Sequence, residues 1–185
     1  IYNVRPIQRL FYRRESFLYP VPLYNNNKQS PCYLYTINTK YKFYCPFSTT
    51  NKWFGNVTRD IIQGYEQLPE TGELLILTKS LKDVMCLYDR NYHAIAPASE
   101  TTAFPEDKII ELQSRFKRLV VFFDLDCAGY THSEKLCNKY NIERVFLHDN
   151  YCLVGKIEEE EDISDFCKLK GEDKTKELCI KLFKI

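Results

Sequence analysis

Two textures divide the chain when its apolar and polar positions are followed in order. From Glu73 onward, short apolar runs alternate with segments whose apolar residues recur every three or four positions. "LLILT" (74–78), "YHAIAP" (92–97), "LVVFF" (119–123) and "ERVFLHD" (143–149) are four runs of strand length. Between them, "SLKDVMCLY" (80–88) sets Leu81, Val84, Met85 and Tyr88 at helical spacing. "PEDKIIELQSRF" (105–116) does the same with Ile109, Leu112 and Phe116, and "THSEKLCNKY" (131–140) with Leu136, Cys137 and Tyr140. Strands that are nearly continuous in apolar residues and alternate with helices predict a parallel sheet covered on both faces. Residues 1–56 read differently, rich in Tyr, Phe, Pro and Asn with little helical periodicity. There, "CYLYTINTKYKFYCPF" (32–47) predicts a hairpin about the polar turn Ile37–Lys40, and "NNNKQSP" (25–31) a loop. The expected architecture is α/β: a parallel sheet flanked by helices over residues 71–185, preceded by a smaller β-rich N-terminal lobe over residues 1–70.

Composition narrows the classes. With 185 residues, 44% of them hydrophobic and 15% aromatic, the chain can build one good-sized domain or a domain with a lobe attached. No run of about eighteen apolar residues occurs, so no membrane-spanning helix is expected. The chain opens at Ile1 without a charged-then-apolar leader, so no secretory signal is expected in it, and its start in mid-pattern reads as that of an excised fragment. The eight cysteines include no C-x-x-C pair and are expected to be free thiols filling core positions in a reducing compartment, not zinc ligands.

Charge sharpens the division. The formal net charge of +1 hides an asymmetry, because residues 1–60 carry nine Lys or Arg against two acids, Glu15 and Asp60. The remainder carries 17 basic residues against 23 acidic ones. A basic lobe beside an acidic half suits a polyanion on one side and a cation on the other.

In open parallel sheets, functional groups collect beyond the carboxyl ends of the strands. Three such ends are chemically loaded: Thr78-Lys79-Ser80, Ala98-Ser99-Glu100 and Asp124-Leu125-Asp126. Strand side chains alternate, so Asp124 and Asp126 are expected to point the same way. Two carboxylates that close raise one another's pKa unless a divalent cation neutralises them, and Mg2+ fits oxygen ligands that leave water positions open. Gly129, just beyond, permits close backbone approach where a helix begins. A second acidic group, "EDISDF" (161–166), places Asp162 and Asp165 on one face of a helical turn. By itself this group reads as an acidic helix N-terminus, and the preceding run 158–162 as a solvated loop; beside the D-x-D it becomes a candidate third metal-facing group. In the basic lobe, "KYKFY" (40–44) and Lys52-Trp53 offer lysines and rings for phosphates and bases, or simply aromatic packing. His93, His132 and His148 lack ligand spacing and are not expected to bind metal.

Taken together, strand–helix units carrying "DLDCAG" (124–129) and the later "DISD" (162–165) resemble the Toprim domain shared by bacterial-type DNA primases, topoisomerases and certain nucleases. More narrowly, "KWFGN" (52–56), "GYEQLP" (64–69), "LLILTKSLKDVM" (74–85) and "AIAPASE" (94–100) look like bacteriophage DNA primases, and the basic lobe resembles the subdomain preceding Toprim in the primase RNA-polymerase core. The resemblance implies a Toprim-like fold and metal-dependent, template-directed synthesis of short RNA primers. It implies Mg2+ (or Mn2+) on Asp124 and Asp126, with Asp162 and Asp165 completing the acidic site. It further implies a single-stranded DNA template and ribonucleoside triphosphates as partners, a replicative helicase or flanking zinc-binding and helicase domains, and a cytoplasmic setting, that of a bacterial host for a phage protein. Lys40, Lys42, Lys52, Trp53 and Lys82 are the expected nucleic-acid contacts.

One departure stands out. The first Toprim motif normally ends its strand with a glutamate, often as E-G-x-x-D, whereas this chain has "KSLKD": Asp83 matches, and Lys79 stands at the glutamate position. Three readings follow. Lys79 contacts a phosphate as a point charge, Glu100 on the neighbouring strand supplies the displaced carboxylate, or the domain binds nucleic acid without catalysis. Toprim nucleases and topoisomerases are the nearer enzymatic alternatives. A haloacid-dehalogenase-like phosphatase, which also carries "FDLD" after a strand, fits less well because two strand–helix units precede the motif here.

Overall fold

The computed structural model describes residues 2–7, 9–12, 21–25, 31–49, 52–99, 102–124, 126–147 and 162–184. The chain forms two compact units, Ile1–Thr58 and Arg59–Ile185. The division falls nearer the N-terminus than the expected break at residue 70, because Ile62–Gln63 pairs into the larger sheet.

The first unit holds β1 (Val4–Pro6), β2 (Arg9–Tyr12), β3 (Val21–Asn25), β4 (Tyr33–Ile37), β5 (Lys40–Tyr44) and β6 (Trp53–Gly55). An antiparallel sheet runs in the order β1-β4-β5-β6, while β2 and β3 form a separate pair. The predicted hairpin is β4–β5. Its two-residue turn is opened by Asn38 at φ 53°, a left-handed conformation that Asn tolerates better than most residues. One face of the sheet packs Phe43 on Phe54 with buried Cys32 and Cys45, whose thiols hydrogen-bond at 2.9 Å. The described cysteines are all free thiols, while Cys152 lies outside the described residues.

The second unit holds β7 (Ile62–Gln63), a 3-10 turn (Tyr65–Gln67), β8 (Gly72–Leu77), α1 (Leu81–Tyr88), β9 (Ala94–Pro97), α2 (Glu106–Arg115), β10 (Phe116–Val121), α3 (Cys127–Tyr140), β11 (Glu143–Arg144), α4 (Ile163–Lys170) and α5 (Glu172–Phe183). Its sheet has the order β11-β10-β8-β9-β7, parallel throughout except for β7. Side chains alternate between two covered faces. Leu75, Leu77, Leu119, Val121 and Phe123 pack with Ile109 and Leu112 of α2 and Leu136, Cys137 and Tyr140 of α3. The even-numbered positions turn to the opposite face, where Phe122 meets Phe183 of α5 edge-on at 5.5 Å. That face is completed by α1 packing on β9 and α4, and by α4 on α5. Among the described residues no helix is long and apolar enough to cross a membrane.

The differences from expectation have local causes. α3 begins at Cys127 instead of Thr131, because Asp126 caps it by accepting from the Gly129 N–H at 2.5 Å. β11 is only two residues long, and residues 148–149 of that predicted strand lie outside the described ones. β10 starts earlier, at Phe116, so the charged pair Lys117-Arg118 is drawn into the strand, with Arg118 forked onto Glu143 at 2.9 and 3.0 Å.

Candidate functional site

The acidic site is assembled by two helix beginnings and one strand end. Ser80 caps α1 by accepting from the Asp83 N–H at 3.3 Å, and this S-x-x-D arrangement carries the Asp83 carboxylate inward. Asp162 caps α4 in the same way, accepting from the Asp165 N–H and the Ser164 hydroxyl, each at 2.7 Å. Asp124 follows β10, on the face to which Phe122 points. Asp83, Asp124 and Asp162 thereby bring one carboxylate oxygen each within 4.8 Å of one another.

Electrostatics make this cluster costly without a cation. Asp83 is only 1% exposed. Its Oδ2 accepts from Ser80 Oγ at 2.7 Å and Thr78 Oγ1 at 3.4 Å, but its buried Oδ1 has no hydrogen-bond partner. An orphaned buried carboxylate oxygen carries a full desolvation penalty. Burial, reinforced by the Asp162 charge, pushes Asp83 up to about 7. Asp124 is pushed up to about 8, first by burial and then by Asp83 and Asp162, with the Lys79 charge pulling the other way. Lys82 offsets part of the charge, its Nζ 3.5 Å from Asp162 Oδ2. Three converging carboxylate oxygens, with Asp83 also holding an unsatisfied oxygen, form a hard-donor set that fits Mg2+ or Mn2+.

The predicted residues are thus partly regrouped. Asp83, Asp124 and Asp162 come together, while Asp126 is exposed and spends an oxygen on the α3 cap. Asp165 contributes its backbone N–H to Asp162, and its carboxylate lies outside the close cluster. Glu100 lies outside the described residues. Gly129 behaves as its position suggests, since a Cβ there would stand 2.3 Å from the Asp124 carbonyl oxygen. Lys79 is buried at 5% exposure and turns to the α2/α3 side, its Nζ 3.4 Å from His132 Nδ1 and 5.2 Å from the Phe123 ring centre. His132 went unrecognised in the sequence because only its spacing to other histidines was informative there.

In the first unit, Lys40, Lys42 and Tyr44 share one face of β5 by alternation. Trp53 of β6 stacks on Tyr44 at 4.1 Å between ring centres, and Lys42 Nζ lies 4.4 Å over the Trp53 ring. Trp53 is half-buried against Tyr35 and Tyr44, and Lys52 is exposed. The arrangement combines a ring stack with a cation, on the face opposite Phe43 and the buried cysteines.

No protein-family model matches the chain, and a search of curated proteins finds no match. Solved structures do match. A DNA primase domain from Pseudomonas aeruginosa aligns over 94% of this chain and 56% of its own, at 13% identity and a TM-score of 0.59. The E. coli primase catalytic core aligns over 93% and 57%, at 14% identity and 0.59. A DnaG primase catalytic domain bound to single-stranded DNA aligns over 82% and 51%, at 14% identity and 0.58. The chain spans about half the length of these structures, and it shares their fold: a Toprim-type parallel sheet flanked by helices, with an antiparallel β-rich sheet.

Proposed function

We propose that this chain is the core of a DNA primase, a nucleotidyltransferase that joins ribonucleotides on a single-stranded DNA template to make short RNA primers for replication. The observation that carries the reading is the convergence of Asp83, Asp124 and Asp162 at the end of the central strands, on a primase-core fold. A divalent ion held by these three carboxylates would supply charge neutralisation at the transferred α-phosphate. The residues themselves set up that role. The Asp83 N–H donated to Ser80 Oγ and the Asp165 N–H donated to Asp162 Oδ1 fix two of the carboxylates before any ligand arrives. Burial keeps the triad in a low-dielectric site, where a phosphate–cation interaction is strong. Lys79 holds positive charge near Asp124 and favours its ionised form. Asp165, which donates its N–H to Asp162, and Asp126, whose charge reaches Asp124, stand as outer partners, and Lys42 with Trp53 offers the template a cation and a stacked ring. Flanking zinc-binding or helicase domains, or a separate replicative helicase, would deliver the template.

Primer synthesis on a single-stranded template, read as radiolabelled ribonucleotide incorporation, tests the reading. Asp124→Ala in the full-length protein should abolish incorporation, and undiminished priming would refute it. A second reading, a nucleic-acid-binding module without catalysis, is favoured by Lys79 at the position where Toprim enzymes carry a glutamate. Calorimetric titration of Mg2+ separates the two: heat of binding in the parent that is lost in Asp83→Asn supports catalysis, and no binding in the parent supports the module.

A further inference from the structure

A cavity of about 330 Å³ opens on the α2/α3 face of the larger unit, away from α1 and α4, which carry two of the three triad acids. Its floor is apolar and largely aromatic, formed by Phe104, Phe123, Leu136 and Tyr140. Its rim is cationic: Lys79, Lys135 and Lys139 border it, against one acid, Glu106. Lys139 is already taken up by Glu106 at 2.7 Å. Lys135, exposed on α3, has no ion pair among the described residues. His132 precedes it by three positions and so lies on the same helical face. Lys79 Nζ can only donate, so at 3.4 Å His132 Nδ1 accepts and the ring proton is left on Nε2 as a further donor. Lys79 is the informative member. A nearly buried ammonium is expensive, and this one borders an aromatic cavity that is large enough for a small ligand. An apolar floor with three aromatic rings next to two cations and a donor matches a planar base joined to a phosphate. An apolar floor reads few hydrogen-bonding edges, so it would accept more than one base.

We propose that this cavity binds a single nucleoside phosphate, its base on Phe104, Phe123 and Tyr140 and its phosphate on Lys79, His132 and Lys135. The site is distinct from the acidic triad and does not rest on the triad holding a metal. Calorimetry with ATP, adenosine and inorganic tripolyphosphate, all in EDTA so that no divalent ion contributes, is the test. ATP should bind, with adenosine and tripolyphosphate each much weaker. Lys135→Gln, His132→Gln and Lys79→Met should each weaken ATP by roughly tenfold or more, and Asp124→Asn should leave it unchanged. Lys135 and His132 are exposed, so their variants keep the test decisive even where Lys79→Met fails to fold by circular dichroism. No ATP binding in EDTA, parental affinity in Lys135→Gln and His132→Gln, or loss confined to Asp124→Asn would overturn the proposal. Tighter binding of a short 5′-phosphorylated oligonucleotide than of ATP would overturn its assignment to a free nucleotide.

Discussion

Asp124→Asn should stabilise the protein in the absence of divalent ions, and the triad supplies the magnitude. Asp124 sits at about 8 in the folded chain against an ordinary 3.8, so between those values the native state holds a proton that the unfolded chain releases. Stability therefore falls as pH rises through that window, by about 1.4 kcal/mol per pH unit for one full proton. Taken alone this would exceed 5 kcal/mol by about pH 8. That figure is an upper bound, because the repulsion is shared with Asp83 and Asp124 is partly open to solvent, and discounting for both leaves a cost on the order of 2 kcal/mol. An amide of the same shape carries no proton and removes that cost. At pH 8 in EDTA, the Asp124→Asn variant should thus be about 2 kcal/mol more stable than the parent in urea unfolding, or melt several degrees higher, with the gap closing only as the pH falls to about 4. Saturating Mg2+ should reverse the order, because the parent gains binding free energy that the variant cannot. A variant no more stable than the parent at pH 8 in EDTA, or one with the parent's pH slope, would refute the reasoning.

Other outcomes follow from single contacts. Gly129→Ala puts a Cβ 2.3 Å from the Asp124 carbonyl oxygen, so it should cost about 1–3 kcal/mol in urea unfolding and weaken Mg2+ binding by displacing Asp124. Mg2+ affinity in the parent should rise with pH between 6 and 8 by up to about tenfold per unit for each proton displaced, measured by calorimetry in buffers of different ionisation heat. Trp53 is the sole tryptophan, so its fluorescence should respond to single-stranded oligonucleotides, with Lys42→Gln weakening the titration and lowering its salt dependence by about one phosphate contact. Arg118→Ala loses its fork onto Glu143 and its 2.6 Å bond to the Phe183 carbonyl. It should cost about 1–2 kcal/mol in urea unfolding.

The alternation of apolar runs and helical spacings was enough to place the parallel sheet, because the C-terminal halves of β8 and β10 and all of β9 are continuous buried apolar runs, while the polar starts of β8 and β10 (Glu73, Lys117 and Arg118) blurred only their boundaries. What it could not place were elements whose burial is set by distant partners. β7 is two residues, Ile62–Gln63, that become a strand only by pairing antiparallel with β9. α5 has no strong apolar signature, and it is fixed by Phe183 reaching Phe122 and Tyr92. In the acidic site, the D-x-D pattern correctly marked the end of β10, yet treating it as an extended pair missed a competing demand. The first turn of α3 needs an acceptor for its free N–H groups, and Asp126 fills that need. Asp83 takes the vacant place in the close cluster through the same chemistry one element earlier: Ser80 caps α1 and leaves the Asp83 side chain pointing inward.

The same alternation accounts for the lysine at the glutamate position. Residues 75 and 77 face α2 and α3, and 79 continues their parity beyond the end of β8, whereas Phe122 and Asp124 face the other way. Lys79 accordingly ends at His132 and Phe123, outside the close carboxylate cluster. It acts on the triad through its field, lowering Asp124 against burial and the charges of Asp83, Asp162 and Asp126 that raise it, and it cannot take a ligand's place. A glutamate at 79 would face the same side and add a fourth negative charge near the triad, raising Asp124 further. Lysine there keeps the triad closer to its ionised, metal-ready state and leaves a donor on the opposite face for a second anion. On the two proposals above, one side chain at the edge of the sheet serves two sites of opposite sign, and its substitution by methionine should be felt at both: weaker nucleotide binding in EDTA, and Mg2+ binding shifted to higher pH.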